Sequence, residues 1–234
     1  MNNEIPKLSG NDIEIKAEEV LTYFDKSSLK KAQFIPLASF MEQLRKDYGV
    51  LINFDSDLGS NEYGAKILGK FISKPRAIFV DKSIVDSERF PFTLAHEFGH
   101  MVFHRNLKID KKDYSEITDT EYDLVSGKKI LSSTRDWLEW QANKFASALL
   151  MPRATFYNAL CSIQNKVGIT KNVGYVYVSK ERYSLRDYNL VRNHLAKLYC
   201  VSKKSVEFRL NNLELLIDQR LMNVRHISEM FKEE

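Results

Sequence analysis

Two segments near the start of the chain carry apolar residues at helical spacing. In residues 10–24 the apolar positions lie three or four residues apart, as on one face of an α-helix. In residues 36–49 a similar face lies between Pro36, which favours a helix start, and Gly49, which favours a helix end. The pattern therefore predicts two amphipathic helices.

The pattern changes after residue 49. Residues 50–54 (VLINF), 66–72 (KILGKFI) and 77–81 (AIFVD) are short apolar or alternating runs, and glycine, asparagine and proline lie between them. Runs of this length and spacing predict β-strands. We expect the three strands to form a small antiparallel sheet.

Two longer helical patterns follow the strands. Residues 87–104 form an apolar run with Pro91 near its first turn, where proline is tolerated. Residues 133–152 start with Ser133 three positions before Asp136, as in a capping box, and end at a proline. Both segments are predicted to be helical.

The last third of the chain is predicted to be helical as well. Helical patterns centre on residues 184–200 and 202–218, and a short helical tail follows. A short link joins the two main segments, which gives them the rhythm of a helix-turn-helix. The predicted class is α+β, with a core in residues 1–152 and a helical C-terminal region in residues 153–234.

Charge is unevenly distributed along the chain. The net charge is +4, but residues 153–234 hold 14 Lys or Arg and 8 Asp or Glu, a net charge of +6. A basic region can bind nucleic acid or an acidic partner. The simpler interpretation is a solvated helical surface, and direct nucleic acid binding stays open.

Composition argues against a secreted or membrane protein. No apolar run approaches the roughly 20 residues that a membrane-spanning helix needs. The N-terminus lacks the basic-then-apolar layout of a signal peptide. Cys161 and Cys200 are isolated, which fits a reducing compartment. We expect a cytoplasmic protein with no membrane partner.

The run FTLAHEFGHMVFH, residues 92–104, holds the strongest chemical signal. His96 and His100 are four positions apart, so a helix places both imidazoles on one face. Imidazole nitrogen binds Zn²⁺ at about 2.0–2.1 Å, and Glu97 is placed to act on a water molecule. The HExxH spacing therefore predicts a zinc site with Glu97 as the general base. The alternative is a pair of hydrogen-bonded core histidines.

His104 continues the same spacing, but we do not expect it to bind the metal. Along an unbroken helix it lies about 12 Å from His96, which is too far for both rings to reach one ion. Zinc proteases with a third histidine turn the chain at a glycine, and Phe103 occupies that position here. A hydrogen-bonded core or rim histidine is the favoured interpretation.

The third ligand is expected from the helix predicted at 133–152. Glu139 and Asn143 are one turn apart, beside the apolar stripe of this helix. A carboxylate on an inward face is costly unless a charge compensates it, and a metal ion would do so. Asn143 can then hydrogen-bond a ligating histidine. The alternative places Glu139 at the solvent boundary.

Residues 105–133 separate the two helices that carry these candidates. The stretch is polar and too long for an ordinary connection. We expect a flexible insertion. Because both ends adjoin the site helices, we predict that it forms a mobile flap near the metal.

Two motifs resemble those of the ImmA/IrrE family of zinc metallopeptidases. RFPFTLAHEFGHMVFH, residues 89–104, is similar to the family's HExxH helix, and EWQANKFASALLMP, residues 139–152, is similar to its second motif. The stretch between the motifs is longer than expected for the family. The resemblance implies a zincin-like fold, with a small antiparallel sheet packed on the HExxH helix. It also implies Zn²⁺ as the cofactor and His96, His100 and Glu139 as its ligands, in a gluzincin-like arrangement.

The expected function is that of a zinc-dependent endopeptidase. The family resemblance implies a helix-turn-helix transcriptional repressor as the substrate, in a regulatory switch of a mobile element or phage. The alternative is a non-catalytic repressor- or DNA-binding regulator with a structural metal site. An intact Glu97 and only three recognisable ligands favour the enzyme, since structural zinc usually has four protein ligands.

Overall fold

A computed structural model describes residues 8–61, 64–106 and 133–220. Helices predominate in these ranges, and the strands form two small sheets, in agreement with the predicted α+β class. The α-helices are α1 (Gly10–Phe24), α2 (Leu37–Tyr48), α3 (Phe90–His104), α4 (Thr134–Leu150), α5 (Arg153–Lys166), α6 (Arg182–Tyr199) and α7 (Lys203–Asn212). The strands are β1 (Leu51–Asn53), β2 (Gly69–Ser73), β3 (Arg76–Val80), β4 (Val176–Val178) and β5 (Leu216–Asp218).

The first sheet is mixed, so the prediction of an antiparallel sheet is wrong for one of its pairs. The strand order is β1-β3-β2, with β3 parallel to β1 and antiparallel to β2. A tight turn joins β2 to β3 and makes that pair antiparallel. The fifteen residues between β1 and β2 let β2 lie beyond β3, at the sheet edge. Ala77, Ile78 and Val80 are buried in β3, as is typical of a central strand.

Helix α3 packs between this sheet and α4. Gly99 lies where the two helices cross. A Cβ at this position would be 3.2 Å from the Ala142 Cα and 3.2 Å from the Phe145 ring. Any side chain here would push the helices apart, so the glycine permits the close approach that brings the side chains of α3 and α4 together.

The C-terminal region contains a second sheet that the sequence patterns did not predict. Strands β4 and β5 pair in parallel, and β5 lies at the end of the segment 202–218, on which we centred a predicted helix. Helix α7 ends at Asn212, and Glu214 has a φ of 57°, which a continuing helix cannot accommodate. Helix α5 lies in the C-terminal region that was predicted to be helical, although no specific helical pattern was assigned to its residues.

A buried ion pair joins the first helix to the last. Arg209 of α7 is fully buried and forms a bidentate pair with Glu14 of α1, in which its Nη2 lies 2.9 Å from the Glu14 Oε2. The Arg209 Nε donates to the backbone oxygen of Met151 at 2.8 Å. The pair therefore ties α1 and α7 to the end of α4.

Two predictions fall outside the described residues. The flexible insertion and flap of 105–133 lie there almost entirely, since the description stops at residue 106 and resumes at residue 133. The helical tail, residues 221–234, is outside it as well. Among the described helices, none is both long and apolar enough to cross a bilayer.

Candidate metal centre

Helix α3 presents two histidines on one buried face. The exposed fractions of His96 and His100 are 6% and 0%. Their Nε2 atoms lie 3.0 Å apart and point toward one place, because the residues are one helical turn apart.

Helix α4 brings Glu139 to the same place. Its Oε2 lies 3.3 Å from the His96 Nε2, and its Oε1 lies 3.6 Å from the His100 Nε2. One nitrogen or oxygen from each of the three residues lies within 4.8 Å of the others, so the group could hold a metal ion. Sequence reasoning had placed these three residues at one site.

The polar atoms of this group fit a divalent cation. The Glu139 Oε1 is buried and has no hydrogen-bond partner. The two Nε2 atoms lie 3.0 Å apart, and the two Glu139 oxygens lie 3.3 Å from one of them and 3.6 Å from the other, so a single ion could contact all three side chains. A cation would compensate the buried carboxylate and occupy the point that both nitrogens face.

Asn143 contacts the far side of His96. Its Oδ1 lies 2.9 Å from the His96 Nδ1, and 7% of the residue is exposed. An amide oxygen only accepts, so the His96 Nδ1 carries the hydrogen and its Nε2 keeps a lone pair. This is the protonation state that a ligating imidazole needs.

His104 contacts His100 and does not belong to the metal group, as expected. It is 1% exposed, and its Nδ1 lies 2.8 Å from the His100 Nδ1. Its Nε2 lies 3.0 Å from the Oε1 of Gln141 on α4. Burial lowers the pKa of His104 to about 4 and lowers the pKa of His100 well below its usual range. Both rings are therefore neutral near pH 7.

Glu97 lies between α3 and strand β2, with only 2% of its surface exposed. It packs over Gly69, where a Cβ would lie 2.5 Å from the Glu97 Oε1 and 2.8 Å from the Thr93 Cγ2. The bare backbone at Gly69 thus leaves room for the carboxylate.

We predict that Gly69→Ala displaces the Glu97 carboxylate while the fold remains intact. The new Cβ would clash with the Oε1 and Cγ of Glu97 and with the Thr93 Cγ2, so the Glu97 side chain must shift as a whole and Thr93 with it. In the general-base role that the sequence predicts for Glu97, a displacement of about 1 Å can reduce the rate about 10²-fold. Peptide cleavage rate and thermal unfolding would check this result. Gly10→Ala is the control, because the new Cβ there meets only the end of the Lys144 side chain. Equal activity in both variants would contradict the prediction.

The group is open on one side. The side chains of His96 and Glu139 keep 8% and 12% of their surface exposed, whereas that of His100 keeps none. A water molecule or substrate would therefore approach beside His96 and Glu139.

Gln141 is a residue beside the histidines that the sequence analysis did not identify. It is fully buried on α4, between the positions of Glu139 and Asn143. A polar residue within the apolar stretch of a helix was the available signal, but its contact with His104 depends on how α3 crosses α4.

Comparison with known proteins identifies a family. The family model for the IrrE N-terminal-like domain, Peptidase_M78, matches residues 45–211. No curated protein matches the chain. A solved structure titled "Mycobacterium tuberculosis transcriptional regulator" is similar, with a TM-score of 0.49 and 17% identity over 92% of this chain and 59% of that one. The chain thus spans less than two thirds of the regulator's length.

Proposed function

The chain belongs to the Peptidase_M78 family, that of the IrrE N-terminal-like domain, and we propose that it is a zinc-dependent endopeptidase. The observation that carries this proposal is the buried group of His96, His100 and Glu139, in which one carboxylate oxygen has no hydrogen-bond partner. Glu97, on the same helix as the two histidines, supplies the acid–base group that peptide hydrolysis requires.

Zinc is the metal that best fits the donor set. Two imidazoles and one carboxylate are a ligand set of catalytic zinc, which leaves a fourth position for water. Within residues 8–61, 64–106 and 133–220, the group offers three such ligands. A structural zinc usually has four, so the count favours catalysis over the alternative of a non-catalytic regulator.

Side chains around the metal position would supply the other groups that hydrolysis needs. A zinc ion at this position would act as a Lewis acid that polarises the scissile carbonyl and makes water more acidic. Glu97 accepts the proton of the attacking water and passes it to the leaving amine. Asn143 holds the His96 ring in the required orientation through its 2.9 Å hydrogen bond.

For the substrate we propose a helix-turn-helix transcriptional repressor of a mobile element or phage. This step is supported by the resemblance of the two motifs to the ImmA/IrrE family and not by the geometry. A repressor would place the enzyme in the cytoplasm, which is compatible with the free thiols of Cys161 and Cys200.

The metal site is tested by zinc binding. We predict that the metal-free protein binds one equivalent of Zn²⁺ and that Glu139→Ala weakens this binding by at least 10²-fold, because the variant lacks one of three ligands. Competition with a chromophoric chelator measures the affinity. Glu181→Ala, an exposed change before α6, is the matched control. Equal affinities of wild type and Glu139→Ala would exclude this ligand set.

The activity is tested with a protein substrate. The helix-turn-helix repressor encoded beside the chain is incubated with the zinc-loaded protein, with and without a chelator. We expect cleavage that the chelator abolishes and added Zn²⁺ restores. A protein that binds zinc but cleaves neither the repressor nor a proteome-derived peptide library would support the non-catalytic regulator instead.

A further inference from the structure

We propose that His104 and Gln141 are positioning residues that set the ring tautomer of His100, so that the His100 Nε2 keeps a lone pair for the metal. This inference rests on the proposed metal site, but it concerns which ring atoms of His100 and His104 carry hydrogen. It can therefore be tested separately from activity.

The three side chains form one continuous row of hydrogen bonds away from the metal position. The His100 Nδ1 lies 2.8 Å from the His104 Nδ1, and the His104 Nε2 lies 3.0 Å from the Gln141 Oε1. Their exposed fractions are 0%, 1% and 0%. Because the row is buried, water is poorly placed to supply an alternative donor or acceptor.

The amide oxygen determines the direction of the whole row. The Gln141 Oε1 can only accept, so the His104 Nε2 carries the hydrogen. A neutral imidazole has one N–H, so the His104 Nδ1 is the acceptor. The His100 Nδ1 must then donate to it, which leaves the His100 Nε2 without a hydrogen.

If the oxygen and nitrogen of the Gln141 amide were exchanged, the hydrogen on each histidine ring would move to the other nitrogen. The amide nitrogen would donate to the His104 Nε2, and the His104 Nδ1 would donate to the His100 Nδ1. The His100 Nε2 would then carry the hydrogen and could not bind a metal. The position of the Gln141 amide on α4 therefore decides whether a ring on α3 can serve as a ligand.

Each of the two predicted histidine ligands therefore has an amide oxygen that fixes its tautomer. Asn143 gives His96 an amide-oxygen acceptor directly, and Gln141 does the same for His100 through the intervening ring of His104. Partners of this kind typically contribute 10–100-fold to metal affinity. We expect the Gln141–His104 row to contribute within this range.

The first test reads the tautomers directly. In the Zn²⁺-loaded protein labelled with ¹⁵N-histidine, two-bond ¹H–¹⁵N correlation spectra at neutral pH distinguish a ring protonated at Nδ1 from one protonated at Nε2. We expect His100 to be protonated at Nδ1 and His104 at Nε2, with assignments from single-histidine variants. A His104 ring protonated at Nδ1 would overturn the proposal. The tautomers are read from the unmodified protein, and the variants serve only to assign its signals.

The second test changes the end of the row. Gln141→Leu should lower the Zn²⁺ affinity 10–100-fold, and Gln141→Glu should stay within a few-fold of wild type, because a carboxylate also accepts from the His104 Nε2. Chelator competition gives the affinity, and thermal unfolding gives the stability. The matched control is Gln164→Leu, which removes another buried glutamine, bonded to the Gly174 nitrogen and the Tyr175 oxygen.

The possible outcomes distinguish the positioning role of Gln141 from the proposed zinc site itself. Equal affinities of Gln141→Leu and wild type, or equal losses in the Leu and Glu variants, would overturn the positioning role. Equal affinity losses in Gln141→Leu and Gln164→Leu would also overturn it, since destabilisation alone would then be the cause. Absence of Zn²⁺ binding by the wild type would instead contradict the proposed function together with this inference, whereas the outcomes above overturn the inference alone.

Discussion

Glu97→Gln is expected to abolish proteolysis while Zn²⁺ binding stays at the wild-type level. The amide keeps the shape of the side chain but cannot accept the proton of the attacking water. General-base catalysis typically contributes 10²–10⁴-fold, so the cleavage rate should fall by that factor. Cleavage of the repressor, or of a proteome-derived peptide library, gives the rate, and elemental analysis gives the bound metal.

The matched control for this variant is Glu88→Gln, the same change at an exposed glutamate just before α3. It should leave both rate and metal content unchanged. If Glu97→Gln cut the substrate within a few-fold of the wild-type rate, Glu97 would not be the base. If it lost zinc as well as activity, a role for the Glu97 carboxylate in holding the metal would replace the role as a base.

Arg209→Met is expected to lower the free energy of unfolding by about 3–5 kcal/mol. The variant removes one partner of the buried pair and leaves the Glu14 carboxylate, 5% exposed, without its counter-charge. Urea denaturation monitored by circular dichroism measures the change. The double variant Glu14→Leu/Arg209→Met should recover most of the loss, because no buried charge then remains unpaired.

A second Arg–Glu pair on the same helix provides the control. Arg153 contacts Glu18 of α1 at 2.7 Å, but the two side chains are 36% and 29% exposed. Arg153→Met should therefore cost only about 0.2–1 kcal/mol. Equal losses in Arg209→Met and Arg153→Met would show that burial does not govern these pairs. Failure of the double variant to recover would assign the loss to packing and to the bond with the Met151 oxygen.

The grouping of His96, His100 and Glu139 could be predicted because its signals are local. His96 and His100 share a helical face by spacing alone, and Glu139 is conspicuous as a carboxylate beside an apolar stripe. Such patterns depend on helical geometry, which is the same wherever the helix lies in the fold. The role of Gln141 could not be read in this way, because its contact with His104 depends on the crossing of α3 and α4.

Strand pairing was less predictable than the helices. The three apolar runs near the start of the chain indicated strands, but their order depends on where the chain between β1 and β2 travels. Strand β4 had a local signal, since Val176 and Val178 are buried and Tyr175 and Tyr177 are exposed. Strand β5 had almost no local signal in the sequence, because it is only three residues long and closely follows α7.

The start of α4 has a consequence for the length of the chain between the two motifs. Ser133 and Asp136 form a reciprocal capping box, in which both hydrogen bonds are 3.1 Å long. These local bonds stabilise the first turn of α4 against fraying. Its position against α3 is set by the contact of Gly99 with Ala142. The register between Glu139 and His96 is therefore independent of the number of residues that separate the two motifs. A change in the number of residues between the two motifs would therefore leave the relative positions of Glu139 and His96 unchanged.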